Sequence, residues 1–221
     1  MNKELSEEAR FEARWPAILT ILAAVVLLGM LPGRIRLVPV GVPFLLAIVV
    51  VVPMAAVGLT AASARWLRVE RTTVLLFVAV AGAGDLANLA TLIRAMVGRS
   101  AEIPGMQLLS SSIAVWSTNV IVFSLLYWQM DRGGPEARTN NANIRPDWLF
   151  PQTDAPEDAP PDWRPTYVDY LFLAFTTATA FSPTEAMPMT SRAKMLMMLQ
   201  SAISLVTIVV VASRAINILG G

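Results

Sequence analysis

The chain has 221 residues, of which 55% are hydrophobic and 15% are charged, with a formal net charge of +1. Soluble domains carry about 25% charged residues, so this composition predicts an all-α integral membrane protein. The absence of cysteine and histidine excludes disulfide bonds, thiolate catalysis and metal ligation by these residues. We expect a multi-pass protein of the cell (inner) membrane, surrounded by the lipid bilayer, with no enzyme activity, no cofactor and no nucleic-acid partner.

Three apolar spans follow a charged start. Residues 1–15 alternate acids and bases, which predicts a short surface helix and not the basic start of a secretory signal. Residues 16–105 then predict a three-helix membrane region with spans at 16–31, 38–62 and 72–97, of which the first is only just long enough for a bilayer.

The third span contains an acid near its middle. Asp85 lies 13 residues into it, which places the carboxyl near the bilayer midplane, and Asn88 lies one helical turn further on. Arg94 projects from the opposite side of the helix, so Asn119 or Ser112 of the fourth span would be a better partner. Two interpretations are open: a protonated or hydrogen-bonded acid that joins helices, or a proton or cation site.

Residues 106–221 differ from the first half. A fourth span at 106–129 is followed by residues 131–165, with seven prolines, seven acids and four arginines. This composition predicts a water-exposed loop whose few large apolar side chains, Trp148 and Phe150 among them, could pack on the membrane domain.

A short helix, a break and a long helix follow this loop. The segment 167–180 is too short to cross comfortably, Ser182-Pro183 interrupts it, and 192–219 is a full-length span. We therefore predict four transmembrane helices, a re-entrant half helix and a final transmembrane helix. The alternative is six spanning helices, with 166–181 as one of them.

The interrupted segment has the layout of a channel pore loop. Phe175-Thr176-Thr177 forms a Thr-rich helix end, and Pro188 follows the acid Glu185. In this register the module resembles the two-helix pore module of the potassium-channel superfamily, which implies a homotetramer that passes inorganic cations. The resemblance implies a filter made of Thr179, Ala180, Phe181, Ser182, Pro183, Thr184 and Glu185.

The register also shows a departure from that family. Both filter glycines are replaced, and Pro183 stands in the middle of the filter. Because glycine reaches backbone angles that other residues resist, the resemblance implies pore architecture but not potassium selectivity. Residues 127–135, together with 180–184, also resemble a pattern found in bacterial multi-pass membrane proteins.

The last span carries a polar stripe. Gln200, Ser204 and Thr207 follow helical spacing, and Val211 and Arg214 continue the stripe. The stripe predicts the lining of a wet pathway, although serine and threonine also pack small against neighbouring helices in membranes.

The charge distribution and the pore layout predict opposite orientations. Arg65, Arg68 and Arg71, in a predicted connection, and the basic N-terminus favour the cytoplasmic side, which also places the 131–165 loop inside. A potassium-channel-like pore has that loop outside.

Two functions are consistent with these patterns. The first is an oligomeric, cation-conducting pore in which 179–185 forms the constriction and Glu185 concentrates cations at its mouth. The second is a non-conducting membrane scaffold whose acidic, Pro-rich loop binds a partner protein.

Overall fold

The computed structural model describes residues 12–30, 41–60, 63–97, 105–139, 144–161, 163–179 and 186–219. Within these ranges the chain is mostly helical, and four helices are long and apolar enough to cross a membrane. The candidate spans are Gly41–Leu59, Ala64–Arg94, Leu109–Gly133 and Ser191–Ser213. These features give the all-α membrane architecture expected from composition.

The first four helices correspond to the four predicted apolar spans. They are α1 (Trp15–Met30), α2 (Gly41–Leu59), α3 (Ala64–Val97) and α4 (Gly105–Met130). α1 has 16 residues and rises about 24 Å, less than a hydrocarbon core of about 30 Å.

Two boundaries differ from the sequence prediction. α3 begins at Ala64, so Arg65, Arg68 and Arg71 lie in its first turns and not in a connection; arginine and leucine are good helix formers, and they extend the helix beyond its apolar part. Residues 12–14 are not helical and Trp15 already belongs to α1, so the described part of the predicted surface helix does not form one. Residues 1–11 lie outside the described ranges.

The loop after α4 is folded onto the helices. It contains a 3₁₀ helix (Asp131–Gly133), α5 (Pro135–Thr139), β1 (Trp148–Leu149) and α6 (Pro151–Asp154). Gly134 has a φ of 103°, and a Cβ there would lie 3.2 Å from the Gln129 carbonyl oxygen, so this turn requires glycine. We call the described part of residues 131–166 the cap.

The remaining elements are α7 (Tyr167–Thr179), β2 (Met187–Pro188) and α8 (Ser191–Leu219). β2 pairs antiparallel with β1 of the cap, with Trp148 opposite Pro188 and Leu149 opposite Met187. This short ladder joins the cap to the start of α8.

α4 is the central helix and packs against α1, α3, α7 and α8. It ends at the cap, and α1 and α3 begin at the same end of the bundle: Arg14, just before α1, pairs with Glu70 at 3.2 Å, and Arg71 donates to the Gly133 carbonyl at 2.7 Å. We call this the cap end.

Candidate functional site

α7 begins at the cap end and stops inside the bundle. It runs antiparallel to α4: the Tyr167 ring lies 5.7 Å from the Trp128 ring, and the Phe175 ring lies 5.8 Å from the Trp116 ring. Its 13 residues rise only about 20 Å. α7 ends at Thr179, one turn past Phe175. From Trp116, which contacts Phe175, α4 continues for about three more turns away from the cap end, to Gly105.

Side chains of α8 bind carbonyl groups near the end of α7. Ser204 Oγ donates to the Ala178 carbonyl at 2.6 Å, and Ser201 Oγ donates to the Thr177 carbonyl at 3.2 Å. The last carbonyls of a helix have no partner within it, and none can be left unpaired at membrane depth. These two serines therefore make the termination of α7 inside the bundle possible.

Gln200 joins three helices at this level. Its Nε2 donates to the Ala174 carbonyl of α7 at 2.8 Å, and its Oε1 accepts a hydrogen bond of 2.6 Å from the Tyr127 hydroxyl of α4. Asn119 Nδ2 also donates to the Gln200 backbone carbonyl, at 3.5 Å. Gln200 is fully buried, so its amide is used for helix contacts within one chain.

The hydrogen bonds between α7 and α8 establish that the two helices are parallel. The donors Gln200, Ser201 and Ser204 meet acceptors that rise along α7 in the same order. Both helices therefore start at the cap end. The chain leaves α7 at Thr179, deep in the bundle, and is back at the cap end by Met187, where it pairs with β1.

An ion pair fixes the start of α8 to the cap. Arg192 contacts both carboxylate oxygens of Asp147, through Nε and Nη2, each at 2.6 Å. Thr190 Oγ1 donates to the same carboxylate at 2.6 Å, and the Asp147 carbonyl accepts from Met189 N at 2.7 Å. Asp147 thus holds the segment that leads from β2 into α8.

Asp131 connects this arrangement to α4 and α7. Its side chain accepts from Asp147 N at 2.7 Å and from the Tyr170 hydroxyl at 2.6 Å. Burial raises the pKa of the Tyr170 hydroxyl well above its usual value. Burial also raises the pKa of Tyr167, to about 12, although hydrogen bonds with Ser124 and Thr20 oppose this rise. The Tyr170 hydroxyl therefore stays protonated at neutral pH, as its hydrogen bond to Asp131 requires.

Glu12 completes the cap end. Its carboxylate accepts hydrogen bonds from Trp128 Nε1 at 2.6 Å and from Tyr167 N at 2.7 Å, and it pairs with Arg138 at 3.1 Å. Arg138 also donates to the Trp128 carbonyl at 2.7 Å and stacks over the Tyr170 ring. One acid from the N-terminal segment therefore joins α4, the cap and the start of α7.

Asp85 and Asn88 of α3 lie apart from the cap end. Asp85 and Asn88 are buried, and Asp85 Oδ1 and Asn88 Oδ1 have no hydrogen-bond partner among the described residues. Asn119 on α4, proposed from the sequence as a partner, donates instead to α8.

Among the predicted filter residues, only Thr179 lies within the described ranges. It is half-buried, and its hydroxyl donates to the Thr176 carbonyl at 3.1 Å. The other six, Ala180, Phe181, Ser182, Pro183, Thr184 and Glu185, lie outside those ranges.

The predicted inner-helix stripe is covered within one chain. Gln200, Ser204 and Thr207 are buried, and the first two bind α7. Thr207 Oγ1 donates to the carbonyl of Ile203 one turn earlier in α8. The lining of a pathway by this stripe stays a prediction, and the contacts seen are those that position α7.

The sequence reasoning missed the buried polar cluster of the cap end. It treated Asp131 and Asp147 as part of a solvated acidic loop and Glu12 as part of a surface helix. The available signal was the position of Asp147 directly before Trp148, because an aromatic residue in a polar loop often marks a segment that packs on the core. In the described part of the chain, no three Asp or Glu side chains are grouped so that they could hold a metal ion.

Comparison of this chain with protein-family models, with curated proteins and with solved structures gave no match.

Proposed function

We propose that the chain forms an oligomeric pore that conducts cations, with α7 as a re-entrant half helix and residues 179–185 as the constriction. The observation that carries the proposal is the parallel course of α7 and α8 from the same end of the bundle. Because α7 and α8 run in the same direction and are joined by a short segment, the chain must return to the cap end between them. Outer helix, half helix, return and inner helix is the order found in tetrameric cation pores.

The ending of α7 supports a pathway in its vicinity. Non-helical backbone at membrane depth is tolerated only where it is buried in protein or lines water. Ser201 and Ser204 bind two of the last carbonyls, at Thr177 and Ala178. The backbone after Thr179 also needs partners, and a hydrated ion pathway supplies them.

The direction of α7 favours cations over anions. Its C-terminal end lies inside the bundle, and the C-terminus of a helix carries a partial negative charge of about half an elementary charge. Channel half helices use this end to stabilise a cation in the membrane. In the proposed pore, Glu185 adds a formal negative charge to the same segment.

The pore lies between copies of the chain. α7 exposes Val168, Phe172 and Phe175, and α8 exposes an apolar face that includes Met195 and Leu205. These faces supply contacts to neighbouring subunits or lipid, while the polar stripe of α8 faces α7. The resemblance to tetrameric channels favours four copies around one axis.

The proposal is tested by ion flux into liposomes that contain the purified full chain. We expect cation flux down a gradient and a clear change in flux or selectivity in Glu185→Gln and in Thr179→Ala, with Glu157→Gln, an exposed cap acid, as the matched control. Absence of flux under every cation gradient, or faster passage of anions than of cations, would reject the proposal. The particle in detergent should also show rotational symmetry, and a monomer would contradict the oligomeric pore.

A second candidate function is a membrane scaffold that binds a partner protein through the cap. It is favoured by the exposed acidic segment around α6, where Asp154, Glu157 and Asp158 all face solvent. Deletion of residues 152–161 leaves Asp147 and Trp148 in place and removes this surface alone. Under the scaffold function, the deletion abolishes partner binding in a folded protein; under the pore function, it leaves ion flux unchanged.

A further inference from the structure

A buried acid in α3 lies at the middle of the membrane domain. A Cβ on Gly82 would lie 3.5 Å from the Val122 side chain, so these positions are in contact. Val122 is near the centre of the span Leu109–Gly133. Asp85 follows Gly82 by three residues, a rise of about 4.5 Å, and is 3% exposed.

Several polar atoms near Asp85 have no hydrogen-bond partner among the residues that the structure describes. Asp85 Oδ1 and Asn88 Oδ1 are both acceptors without a donor, and Asn88 is 5% exposed and one turn away on the same face. Thr118 Oγ1 on α4 also has no partner. Thr118 lies one turn from Val122 on the same face of α4, which places it at the height of Asp85 because the two helices are antiparallel.

In the described part of the chain, the helices that pack against α3 carry no cationic side chain at this height. α2 has no ionisable side chain, and the only one in α4 is Tyr127, which lies nine residues from Thr118 towards the cap end. The charged residues of α8, Arg192, Lys194 and Arg214, lie towards its two ends. On α3 itself, Arg94 is exposed and projects from the opposite side, and Glu70 with the remaining arginines lies towards the cap end.

One proton or one monovalent cation would neutralise the Asp85 carboxylate. An ionised carboxylate with a buried oxygen that has no donor, as at Asp85 Oδ1, is disfavoured in a bilayer. A proton on Asp85 turns one unpaired acceptor into a donor, with Asn88 Oδ1 as the acceptor one turn away. A small monovalent cation neutralises the carboxylate equally and prefers carboxylate, amide and hydroxyl oxygens. A divalent ion would leave an excess positive charge at the same depth.

We propose that Asp85, Asn88 and Thr118 form an intramembrane site that binds either one proton or one small monovalent cation, in competition at the Asp85 carboxylate. The site lies between α3 and α4, outside the segment α7–α8 on which the proposed pore depends. It requires neither oligomerisation nor conduction.

Dicyclohexylcarbodiimide tests the site because it modifies protonated carboxyl groups in apolar surroundings. The full chain in detergent is treated at a series of pH values, with and without Na⁺, K⁺ or Li⁺, and the modified peptide is quantified by mass spectrometry. We expect modification at Asp85 that falls about tenfold per pH unit above the midpoint of titration. Slower modification on addition of one of the cations identifies that ion as the competitor, and pH dependence alone identifies a proton site.

Single-residue variants test whether the modification and its pH or cation dependence arise at this site. Asp85→Asn abolishes modification of the peptide, and Asn88→Ala shifts the pH midpoint or the cation concentration that protects. Thr91→Ala on the same helix, whose hydroxyl donates to the Ala87 carbonyl of that helix, serves as the control and leaves both unchanged.

Two results would overturn the proposal. Modification of Asp85 that does not respond to pH or to any cation identifies a permanently protonated structural group. If no modification occurs, infrared spectroscopy replaces the reagent: a protonated-carboxyl band lost in Asp85→Asn and titrating with pH or cation supports the site, and absence of such a band rejects it. Neither readout depends on ion flux, so failure of the pore proposal leaves this test intact.

Discussion

Glu12 shows how many elements a single acid, with a side chain only 9% exposed, connects at the cap end. Its carboxylate binds an indole of α4, a backbone amide at the start of α7 and a guanidinium of the cap. In its pair with Arg138, the arginine side chain is 4% exposed and the glutamate side chain is 9% exposed, so little solvent screens the two charges. Removal of one partner from a buried pair leaves an uncompensated charge, which costs far more than loss of an exposed pair.

We therefore expect Glu12→Ala to destabilise the protein by about 3–5 kcal/mol. Thermal unfolding in detergent measures the effect. Glu157→Ala, at an exposed cap position, is the control and should change stability by less than about 0.5 kcal/mol. Equal stability of the two variants would show that the Glu12 contacts do not hold the cap end together.

At the scale of elements, α7 depends on α8. A helix of 13 residues that ends inside the bundle has carbonyls that only a neighbour can satisfy. α8 provides Ser201 and Ser204 at the correct heights because it runs parallel to α7 and starts at the same end. The ladder between β1 and β2 and the Asp147–Arg192 pair fix that common start.

Ser204→Ala tests this dependence. The change leaves the Ala178 carbonyl buried and without its side-chain donor, and we expect a loss of about 1–3 kcal/mol in stability. Ser213→Ala, an exposed serine of the same helix, should cost less than about 0.5 kcal/mol. Unfolding midpoints of both variants in one detergent decide the comparison, and similar values for the two would contradict the capping role.

At the scale of the whole molecule, basic residues are concentrated at one end. Among residues whose side chains are described, the cap end holds Arg14, Arg65, Arg68, Arg71, Arg132, Arg138, Arg145, Arg164, Arg192 and Lys194, whereas Arg94 lies towards the opposite end. The positive-inside rule then predicts that the cap faces the cytoplasm. This orientation is opposite to that of the potassium-channel module, so the charge rule and the resemblance make contrary predictions.

Orientation can be measured cleanly because the chain contains no cysteine. With an impermeant maleimide on intact cells, we expect Gly221→Cys, beyond the end of α8, to react, and Gln152→Cys in the exposed cap to react only after permeabilisation. The reverse pattern would show that the cap is outside, as in potassium channels. The cysteine-free parent chain gives the background.

Much of the helical organisation could be predicted from sequence, because apolar length and proline breaks act locally. The four apolar spans before the loop, the short helix at 167–180 and the long last helix all correspond to helices of the structure. The start of α3 was placed too late, since hydropathy detects the apolar part of a helix and not its charged first turns. The fold of the cap could not be predicted from the sequence, because a polar, Pro-rich composition does not show which of its side chains have buried partners.

Sequence alone determined that this is an all-α membrane protein and that its third and last long helices carry polar residues at membrane depth, because composition and helical spacing fix both. Only the tertiary structure decided what those residues contact. Asp85 Oδ1 and Asn88 Oδ1 have no donor within the described part of the chain. The stripe of α8 faces α7 and α4, and Glu12, Asp131 and Asp147 lie together at the cap end. Such partners are separated by tens of residues along the chain, and local patterns carry no information about which distant donor and acceptor will meet.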